Sequence, residues 1–120
     1  MDKLRPILVV DDVEAICTFI CTVLQGNGYV HVDTAHDSAE VMSRVCRKDY
    51  QLILMDIKLP KVDGLELLSI LHDEIPDAKI VMCSADTSEE TVNLAYEIGA
   101  VGFLEKPVTP MSLLSLMERL

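Results

Sequence analysis

The sequence predicts an α/β fold in which one parallel β-sheet lies between two layers of helices. Five short β-type runs alternate with five helical patterns along the 120 residues, and such alternation is typical of parallel strands joined by right-handed crossovers. Three runs, ILVV, LILM and IVMC, are almost continuously apolar, as expected for strands covered on both faces. No linker or repeat interrupts the pattern, so we expect residues 1–120 to form a single three-layer domain.

The strands are assigned from these apolar runs and from the turn residues that bound them. The second run, VHVDT, alternates apolar and polar residues and therefore suits an edge of the sheet. The five predicted strands are Ile7–Val10, Val30–Thr34, Leu52–Asp56, Lys79–Ser84 and Gly102–Glu105.

The helices are assigned from capping signals and apolar spacing. The first is expected to begin after Asp12 and to end at the Gly26-Asn27-Gly28 turn, where glycine tolerates a left-handed C-cap. The four later helices have N-cap signals, which are Asp37 with Glu40, Asp63 with Glu66, Thr87 with Glu90, and Thr109 before Pro110. In the last helix, spacings of three and four predict one apolar stripe, formed by Leu113, Leu116, Met117 and Leu120.

The charge balance limits the classes of partner. Ten basic and twenty acidic side chains give a net charge of −10. Nucleic acid and anionic membranes both require clustered Lys and Arg, so we expect neither as a partner of this segment. The apolar runs are too short to span a bilayer, and the run after Pro6 stops at Asp11, so we expect no signal peptide.

The four cysteines give no sign of a metal or redox site. Cys17, Cys21, Cys46 and Cys83 form no C-x-x-C pair and have no histidine at zinc-finger spacing. We therefore expect small buried hydrophobic residues in a protein of the reducing cytoplasm.

Polar residues gather where the predicted strands end. Asp11 and Asp12 follow the first strand, Asp56 ends the third, Ser84 ends the fourth, and Lys106 follows the fifth. Ligands bind beyond the carboxyl ends of the strands in an open parallel sheet, so these side chains should share one pocket. Three crowded carboxylates repel one another unless a divalent cation neutralises them. Magnesium fits best, because it takes few carboxylates, keeps several waters and accepts a phosphoryl oxygen.

This constellation resembles the receiver domain of two-component response regulators. The supporting stretches are ILVVDD, LILMDIKLPKVDGLELL, IVMCSA and GAVGFLEKP, in that order, and the likeness covers essentially all 120 residues. The resemblance implies a flavodoxin-like sandwich with strand order 2-1-3-4-5 and five helices divided between the two faces of the sheet. Alternation of strands and helices alone does not fix that order.

The resemblance also implies the chemistry of the site. Asp56 would accept a phosphoryl group from a phosphohistidine of a histidine kinase or a histidine phosphotransfer protein. Asp12, Asp56 and the backbone carbonyl of Lys58 would bind Mg²⁺, for which Mn²⁺ can substitute. Asp11 would act on the ion mainly through a water, and Lys106 would pair with a phosphoryl oxygen.

A conformational readout is implied as well. Ser84 would hydrogen-bond the phosphoryl group, and the Phe103 ring would turn inward to fill the space opened beneath the fourth strand. Because phenylalanine lacks a hydroxyl, packing alone would carry this signal. The surface of helix 4, strand 5 and helix 5 would then present a changed face to a downstream effector.

Two further expectations concern the surroundings of the pocket. From Asp86 to Glu105 there are five acidic residues and no Lys or Arg, so crossed salt bridges between two copies are not expected on that face. A solvated helix face and a basic partner both explain this composition. Lys58 and Asp86, two residues past Asp56 and Ser84, are expected to approach each other and to limit the access of attacking water.

Three alternatives compete with a signalling domain that catalyses only its own phosphorylation and dephosphorylation. A magnesium-dependent aspartyl phosphohydrolase needs a second Asp two residues after the nucleophile, where this chain has Lys58. A flavin-binding domain needs a Ser/Thr/Gly-rich loop after the first strand, where this chain has DDVE. A receiver fold that serves only in protein interaction is disfavoured by the complete site but stays open. Any output domain is expected after Leu120.

Overall fold

A computed structural model describes residues 1–120, in which five strands and five helices alternate. The strands are β1 (Ile7–Val10), β2 (Val32–Ala35), β3 (Leu52–Asp56), β4 (Lys79–Ser84) and β5 (Gly102–Glu105). The helices are α1 (Glu14–Gly26), α2 (Ser38–Val45), α3 (Gly64–Glu74), α4 (Glu89–Ile98) and α5 (Pro110–Arg119). None of these helices has the length and apolar character that a membrane crossing needs.

The strands form one parallel sheet in the order β2-β1-β3-β4-β5. The register pairs Val10 with Met55 and Asp56 with Cys83, so the central strands end at a common edge. Two apolar clusters cover the faces of the sheet, one with residues of α1 and α5 and the other with residues of α2, α3 and α4. The predicted three-layer α/β sandwich with strand order 2-1-3-4-5 is confirmed.

The central strands show why the apolar runs are continuous. In β1, Ile7 and Val9 join the cluster with α1 and α5, whereas Leu8 and Val10 join the cluster with α2, α3 and α4. All four side chains are buried. Because full burial of such a side chain contributes about 1.5–3 kcal/mol, both faces of the strand stabilise the sheet that positions the site.

The second strand is displaced from its predicted position. It spans Val32–Ala35 rather than Val30–Thr34, although it lies at an edge of the sheet as expected. Val30 donates its N–H to a carbonyl of the N-terminal segment and is 54% exposed, so it precedes the strand. Ala35 pairs with Val10 and is buried. The alternating pattern thus indicates an edge strand without fixing its ends.

Three of the four predicted N-caps form. Asp37, Asp63 and Thr109 each accept a hydrogen bond from a backbone N–H in the first turn of the following helix. Pro110 occupies the start of α5, where its missing N–H has no cost. Each such cap typically stabilises its helix by about 1 kcal/mol.

The predicted start of α4 is wrong by one residue. Its N-cap is Ser88 rather than Thr87, and the Ser88 hydroxyl accepts the Thr91 N–H. The cause is Asp86, whose carboxylate accepts the Ser88 N–H at 2.9 Å and closes a turn just before the helix.

The four cysteines are free, and they differ in exposure. Cys17 and Cys83 are buried, and burial is the main cause that raises the pKa of the Cys17 thiol to about 11. Cys21 is partly buried, but Cys46 is exposed at the C-cap of α2, so the prediction of burial is wrong for Cys46. Only Val41 of α2 is fully buried, and the end of this helix therefore lies in solvent.

Candidate functional site

The carboxyl edge of the sheet brings the predicted polar residues together. Asp11 follows β1, Asp56 ends β3, Ser84 ends β4 and Lys106 follows β5. Asp11, Asp56 and Ser84 are buried although they are polar. Buried polar groups need hydrogen-bond partners, and these side chains find them in Lys106 and in backbone N–H groups of the loops.

Lys106 joins two of the carboxylates. Its Nζ lies 2.8 Å from Asp11 Oδ2 and 3.0 Å from Asp56 Oδ2. Its backbone N–H donates to the Ser84 carbonyl at 2.9 Å, which anchors the lysine to the end of β4. Asp11 is 3% exposed and Asp56 is 7% exposed. Both ion pairs are therefore shielded from water, where charge-assisted hydrogen bonds are strongest.

Backbone N–H groups orient the same two carboxylates. Asp11 Oδ1 accepts the Val13 N–H at 2.9 Å, and Asp56 Oδ1 accepts the Lys58 N–H at 3.2 Å. A short aspartate side chain at a strand end readily bonds the backbone two residues on. Each aspartate therefore has one oxygen held by its own loop and the other directed to Lys106.

Asp12 completes a cluster of three carboxylates. Asp11, Asp12 and Asp56 each offer one oxygen, and these oxygens lie within 4.8 Å of one another. Asp12 is exposed whereas the other two are buried, so the cluster opens to solvent on the Asp12 side. Oxygen donors at this spacing fit a hard divalent cation that keeps some of its waters. The cluster can therefore hold a metal ion.

Burial and neighbouring charges shift the pKa values of Asp56 and Lys106. Burial raises the pKa of the Asp56 carboxyl above its ordinary value, while Lys106 and the Lys58 N–H oppose this shift. Burial lowers the pKa of Lys106, but its two carboxylate partners outweigh burial and the pKa is raised. Lys106 therefore stays cationic. A further cation beside Asp56 would favour its ionised form.

Ser84 lies at the end of β4 and forms no hydrogen bond with the carboxylates. Its Oγ accepts the Asp86 N–H at 2.9 Å, and this is its only side-chain hydrogen bond. A serine hydroxyl carries one donor and two acceptor positions. Ser84 can thus donate its proton to an incoming oxygen while it still accepts from Asp86.

Phe103 lies between the interior and the surface. It is half-buried on β5 and packs against the apolar cluster shared with α2, α3 and α4. It also lines a surface groove together with Tyr96 and Val101. Met82 of β4 is its partner in the ladder, so the ring lies two positions from the strand end that carries Ser84.

Lys58 and Asp86 form no salt bridge. The Lys58 charge is nevertheless among the causes that lower the pKa of Asp86, and the expected approach of the two side chains stays a prediction. The Asp86 carboxylate instead accepts the Ser88 N–H and the Thr91 hydroxyl, both at 2.9 Å, and these bonds lead the causes that hold its pKa below the ordinary value. The sequence signal that was missed is an aspartate two residues before a Ser N-cap, a spacing that favours a local turn.

The loop after β3 has a shape that sequence reasoning also missed. Gly64 donates its N–H to the Ile57 carbonyl at 2.7 Å, and a Cβ at position 64 would lie 2.4 Å from that oxygen. Lys61 has a φ of 68°, in the left-handed region. The loop closes on itself through a bridge between Lys58 and Asp63, and it thereby holds the Lys58 N–H against Asp56.

Comparison with known proteins identifies relatives along nearly the whole chain. Residues 7–118 match the model of the response regulator receiver domain. The chain is 36% identical over 115 residues to the nitrogen assimilation regulatory protein NtrX of Azorhizobium caulinodans, with 94% of this chain and 25% of that protein covered. It is 29% identical over 113 residues to the chemotaxis protein CheY of Listeria monocytogenes, with 94% and 95% covered.

Solved structures share the fold. The chemotaxis response regulator CheY4 of Vibrio cholerae matches with a TM-score of 0.89 and 29% identity over 97% of this chain and 98% of that one. A CheY-like receiver domain protein of Methanospirillum hungatei matches with a TM-score of 0.89 and 34% identity over 97% and 92%. This chain spans 25% of NtrX and 44% of the Bacillus subtilis regulator PhoP. Sequence, fold and site agree, and the chain belongs to the receiver domain family of two-component response regulators.

Proposed function

We propose that the chain is a cytoplasmic signalling receiver that accepts a phosphoryl group on Asp56. The proposed donor is a phosphohistidine of a histidine kinase or of a histidine phosphotransfer protein. The observation that carries this proposal is the Lys106 ammonium, which lies within 3.0 Å of carboxylate oxygens of both Asp11 and Asp56. A carboxylate held beside a cation is suited to accept a group whose negative charge the cation can share.

The same residues fit a divalent cation. We infer that the carboxylates of Asp12 and Asp56 and the backbone carbonyl of Lys58 bind Mg²⁺ or Mn²⁺, with Asp11 acting mainly through a water. The three converging carboxylate oxygens support this inference, because three negative charges share one small site with a single ammonium group. When bound, the ion supplies positive charge to the oxygens of the phosphoryl group.

Asp56 provides the nucleophile. One oxygen of its carboxylate attacks the phosphorus, the P–N bond of the phosphohistidine breaks, and the electron pair of that bond stays on the imidazole nitrogen. No base is needed, since a carboxylate has no proton to lose. In the dephosphorylation step, water attacks the phosphorus and the P–O bond to Asp56 breaks. Inorganic phosphate leaves, and a proton passes to solvent. The chain thus catalyses only its own phosphorylation and dephosphorylation.

Lys106 and Ser84 are placed to stabilise the phosphorylated state. Lys106 already points at Asp56 and would pair with one phosphoryl oxygen. The Ser84 hydroxyl would donate to another, since its proton is not used within the chain. The modification adds nearly two negative charges and three acceptor oxygens, so both partners gain strong hydrogen bonds.

We propose that a movement of Phe103 transmits the phosphorylation of Asp56 to the surface of the protein. Movement of Ser84 toward the phosphoryl group would open space beneath the end of β4, into which the half-buried ring can turn. Its position between the apolar cluster and the surface groove supports this role. The altered surface of α4, β5 and α5 would then be recognised by a downstream effector.

Lys58 and Asp86 keep a proposed role in the lifetime of the aspartyl phosphate. Both are exposed and lie two residues beyond Asp56 and Ser84, on loops that border the pocket. An exposed pair contributes little to stability, so the expected effect is kinetic. Lys58→Ala and Asp86→Ala should each change the dephosphorylation rate, and unchanged rates in both variants would refute the role.

Intact-mass spectrometry after incubation with acetyl phosphate and Mg²⁺ tests the proposed function. The chain should gain the mass of one phosphoryl group and lose it after the donor is removed. Asp56→Asn should gain nothing, whereas Asp73→Asn, which changes an exposed carboxylate of α3, should behave as the unmodified chain. A folded chain that gains no mass, or an Asp56→Asn variant that gains it, would favour a receiver fold that serves only in protein interaction.

A further inference from the structure

A polar pocket lies at the edge of the sheet, between β2 and α2. It has a volume of about 460 Å³, which is within the range of small-molecule sites. No apolar residue lines this pocket, so an apolar ligand would find no surface to bury there. The lining residues are Thr34, His36, Glu40, Ser43, Arg44 and Arg47.

The spacing of these residues in the sequence explains how they come to share one pocket. Residues three, one and three positions apart lie on the same side of a helix, and this side of α2 presents Glu40, Ser43, Arg44 and Arg47. Arg47 lies beyond the last residue of α2, but its N–H donates to the Arg44 carbonyl at 3.0 Å and continues the turn. The other side of the pocket comes from Thr34 of β2 and from His36 just after this strand.

The two arginines of the pocket have no carboxylate partner. Neither Arg44 nor Arg47 forms a salt bridge. Glu40 is the only acid of the lining, and its Oε2 accepts the His36 N–H at 3.0 Å and lies 3.4 Å from the His36 Nδ1. Arg44 also lowers the pKa of Asp33, but that carboxylate is already paired with a lysine. Both guanidinium groups are therefore available to an anion, although the net charge of the chain is −10.

Two hydroxyl groups add neutral donors to the same pocket. Among the lining residues, the only side-chain hydrogen bonds are those between Glu40 and His36. The hydroxyls of Thr34 and Ser43 can therefore donate to a ligand. Two guanidinium groups and two hydroxyls offer more donors than the two oxygens of a carboxylate readily accept, whereas a phosphate group offers three free oxygens. The donor set thus fits a phosphate group best.

We propose that this pocket binds a small phosphorylated molecule, whose phosphate is held by Arg44 and Arg47 and by the hydroxyls of the lining. A nucleic acid is a poorer ligand, because the net charge of −10 repels an extended polyanion. None of the three carboxylates at the ends of β1 and β3 lines the pocket. The inference therefore goes beyond the proposed function and does not depend on it.

NMR titration of the full chain with inorganic pyrophosphate tests the proposal. The buffer contains EDTA, so that no divalent cation draws the anion to the carboxylate cluster. Saturable shift changes at about millimolar concentrations or below are expected at Thr34, His36, Ser43 and Arg44. ADP should shift the same residues, and a phosphoserine peptide is titrated for comparison. Sodium chloride at equal ionic strength should not produce these shifts, because screening alone has no preferred site.

Two paired variants separate the pocket from the general effect of charge. Arg44→Gln combined with Arg47→Gln should weaken pyrophosphate binding at least about tenfold, because charge-assisted hydrogen bonds are lost. Lys79→Gln combined with Arg119→Gln makes the same change in charge at exposed residues outside the pocket that form no salt bridge. Arg119 lies in the last turn of its helix, as Arg44 does. The second pair should keep the affinity within about twofold.

Absence of saturable shifts below about 10 mM pyrophosphate, shifts centred on Asp56 and Lys106, or equal losses in the two paired variants would each overturn the proposal. Tighter binding of the phosphoserine peptide than of ADP would also overturn it, because the pocket would then serve a protein partner. Asp56→Asn should bind pyrophosphate as the unmodified chain does. Pyrophosphate binding in a chain that gains no phosphoryl group would refute the proposed function and leave this site standing.

Discussion

Lys106 has the most consequential position of any single residue in the site. Its ammonium contacts carboxylates from the ends of β1 and β3, and its backbone is bonded to the end of β4. This one residue thus connects three neighbouring strands at the edge where they end, two through its side chain and one through its backbone. A lysine next to a proline is by itself an ordinary loop residue, and only its place after the fifth strand predicted this role.

Replacement of Lys106 should mainly affect catalysis. Lys106→Met should slow phosphorylation by acetyl phosphate about 100-fold, because it removes a preorganised cation from the oxygens where charge develops. Initial rates from intact-mass time courses measure the effect, and Lys79→Met, at an exposed lysine of β4, is the control. A rate within a factor of about two of the unmodified chain would contradict the role given to Lys106.

Lys61 adopts a backbone conformation that glycine adopts more readily. Its φ of 68° lies in the left-handed region, a conformation that costs a non-glycine residue about 1–2 kcal/mol. Glycine adopts this conformation without that cost, but it loses more conformational entropy on folding, which lowers stability by about 0.5–1 kcal/mol. Lys61→Gly should therefore raise the free energy of unfolding by about 0.5 kcal/mol, and Lys61→Val should lower it. Urea denaturation of both variants tests this, and the reverse ranking would argue against strain at this residue.

Residue positions were predictable where the strand ends dictate them. Asp11, Asp56 and Ser84 lie where the sequence pattern placed them. The absence of a salt bridge between Lys58 and Asp86 has a local cause, because the Asp86 carboxylate accepts hydrogen bonds from the Ser88 N–H and the Thr91 hydroxyl. The spacing of Asp86 and Ser88 favours such a turn, but spacing alone does not show that a local partner outcompetes a distant one.

At the scale of elements, the connection between β3 and α3 depends on close approach of two backbone segments. Gly64→Ala would force a Cβ within 2.4 Å of the Ile57 carbonyl oxygen, so it should lower the free energy of unfolding by about 2–4 kcal/mol. Gly26→Ala is the matched control, since a Cβ there meets nothing within 4 Å, and it should change stability by less than about 1 kcal/mol. Similar losses in both variants, measured by urea denaturation, would show that space at position 64 is not limiting.

The edge strand β2 is linked to the segment before β3 by a partly buried aspartate. Asp33 Oδ2 accepts hydrogen bonds from Lys48 Nζ at 2.8 Å and from the Tyr50 hydroxyl at 2.7 Å. Burial acts to raise the pKa of Asp33, but these two hydrogen bonds outweigh it and hold the pKa below its ordinary value. Because the folded pKa is the lower one, this contribution to stability is complete above the unfolded pKa and is lost as pH falls through the folded pKa.

Asp33→Asn should therefore destabilise the chain by about 1–2 kcal/mol at pH 7. The difference from the unmodified chain should shrink at a pH below about 4, where the unfolded carboxyl is already protonated. Urea denaturation at both pH values, with Asp73→Asn as an exposed control, measures this. An equal difference at both pH values would mean that ionisation of Asp33 contributes nothing.

The sequence predicted which strands and helices form more reliably than it predicted the residues at which they begin and end. The apolar strands β1, β3 and β4 match their predictions residue for residue, since burial on both faces leaves no ambiguity. The edge strand β2 and the start of α4 moved by one or two residues. At these places single hydrogen bonds decide the boundary: Val30 is bonded to the N-terminal segment, and the Ser88 N–H is bonded to Asp86 just before α4.

For the whole molecule, strand order was the property least accessible to pattern reasoning. Alternation predicts parallel strands and crossovers on both faces, but several orders satisfy it. The order β2-β1-β3-β4-β5 followed only from likeness to a known family. The site itself was predictable as a set, because every order that leaves the central strands adjacent gathers their ends at one edge.

The central claim concerns the whole cluster: three carboxylates at the carboxyl ends of β1 and β3 form a site that needs a divalent cation before Asp56 can accept a phosphoryl group. Titration of the full chain with Mg²⁺, followed by NMR, tests it most directly. We predict saturation at millimolar concentrations or below, with shifts concentrated at Asp11, Asp12, Asp56 and Lys58, and loss of saturable binding in Asp12→Asn. Absence of saturable binding in that range, or equal binding by the Asp12→Asn variant, would contradict the claim.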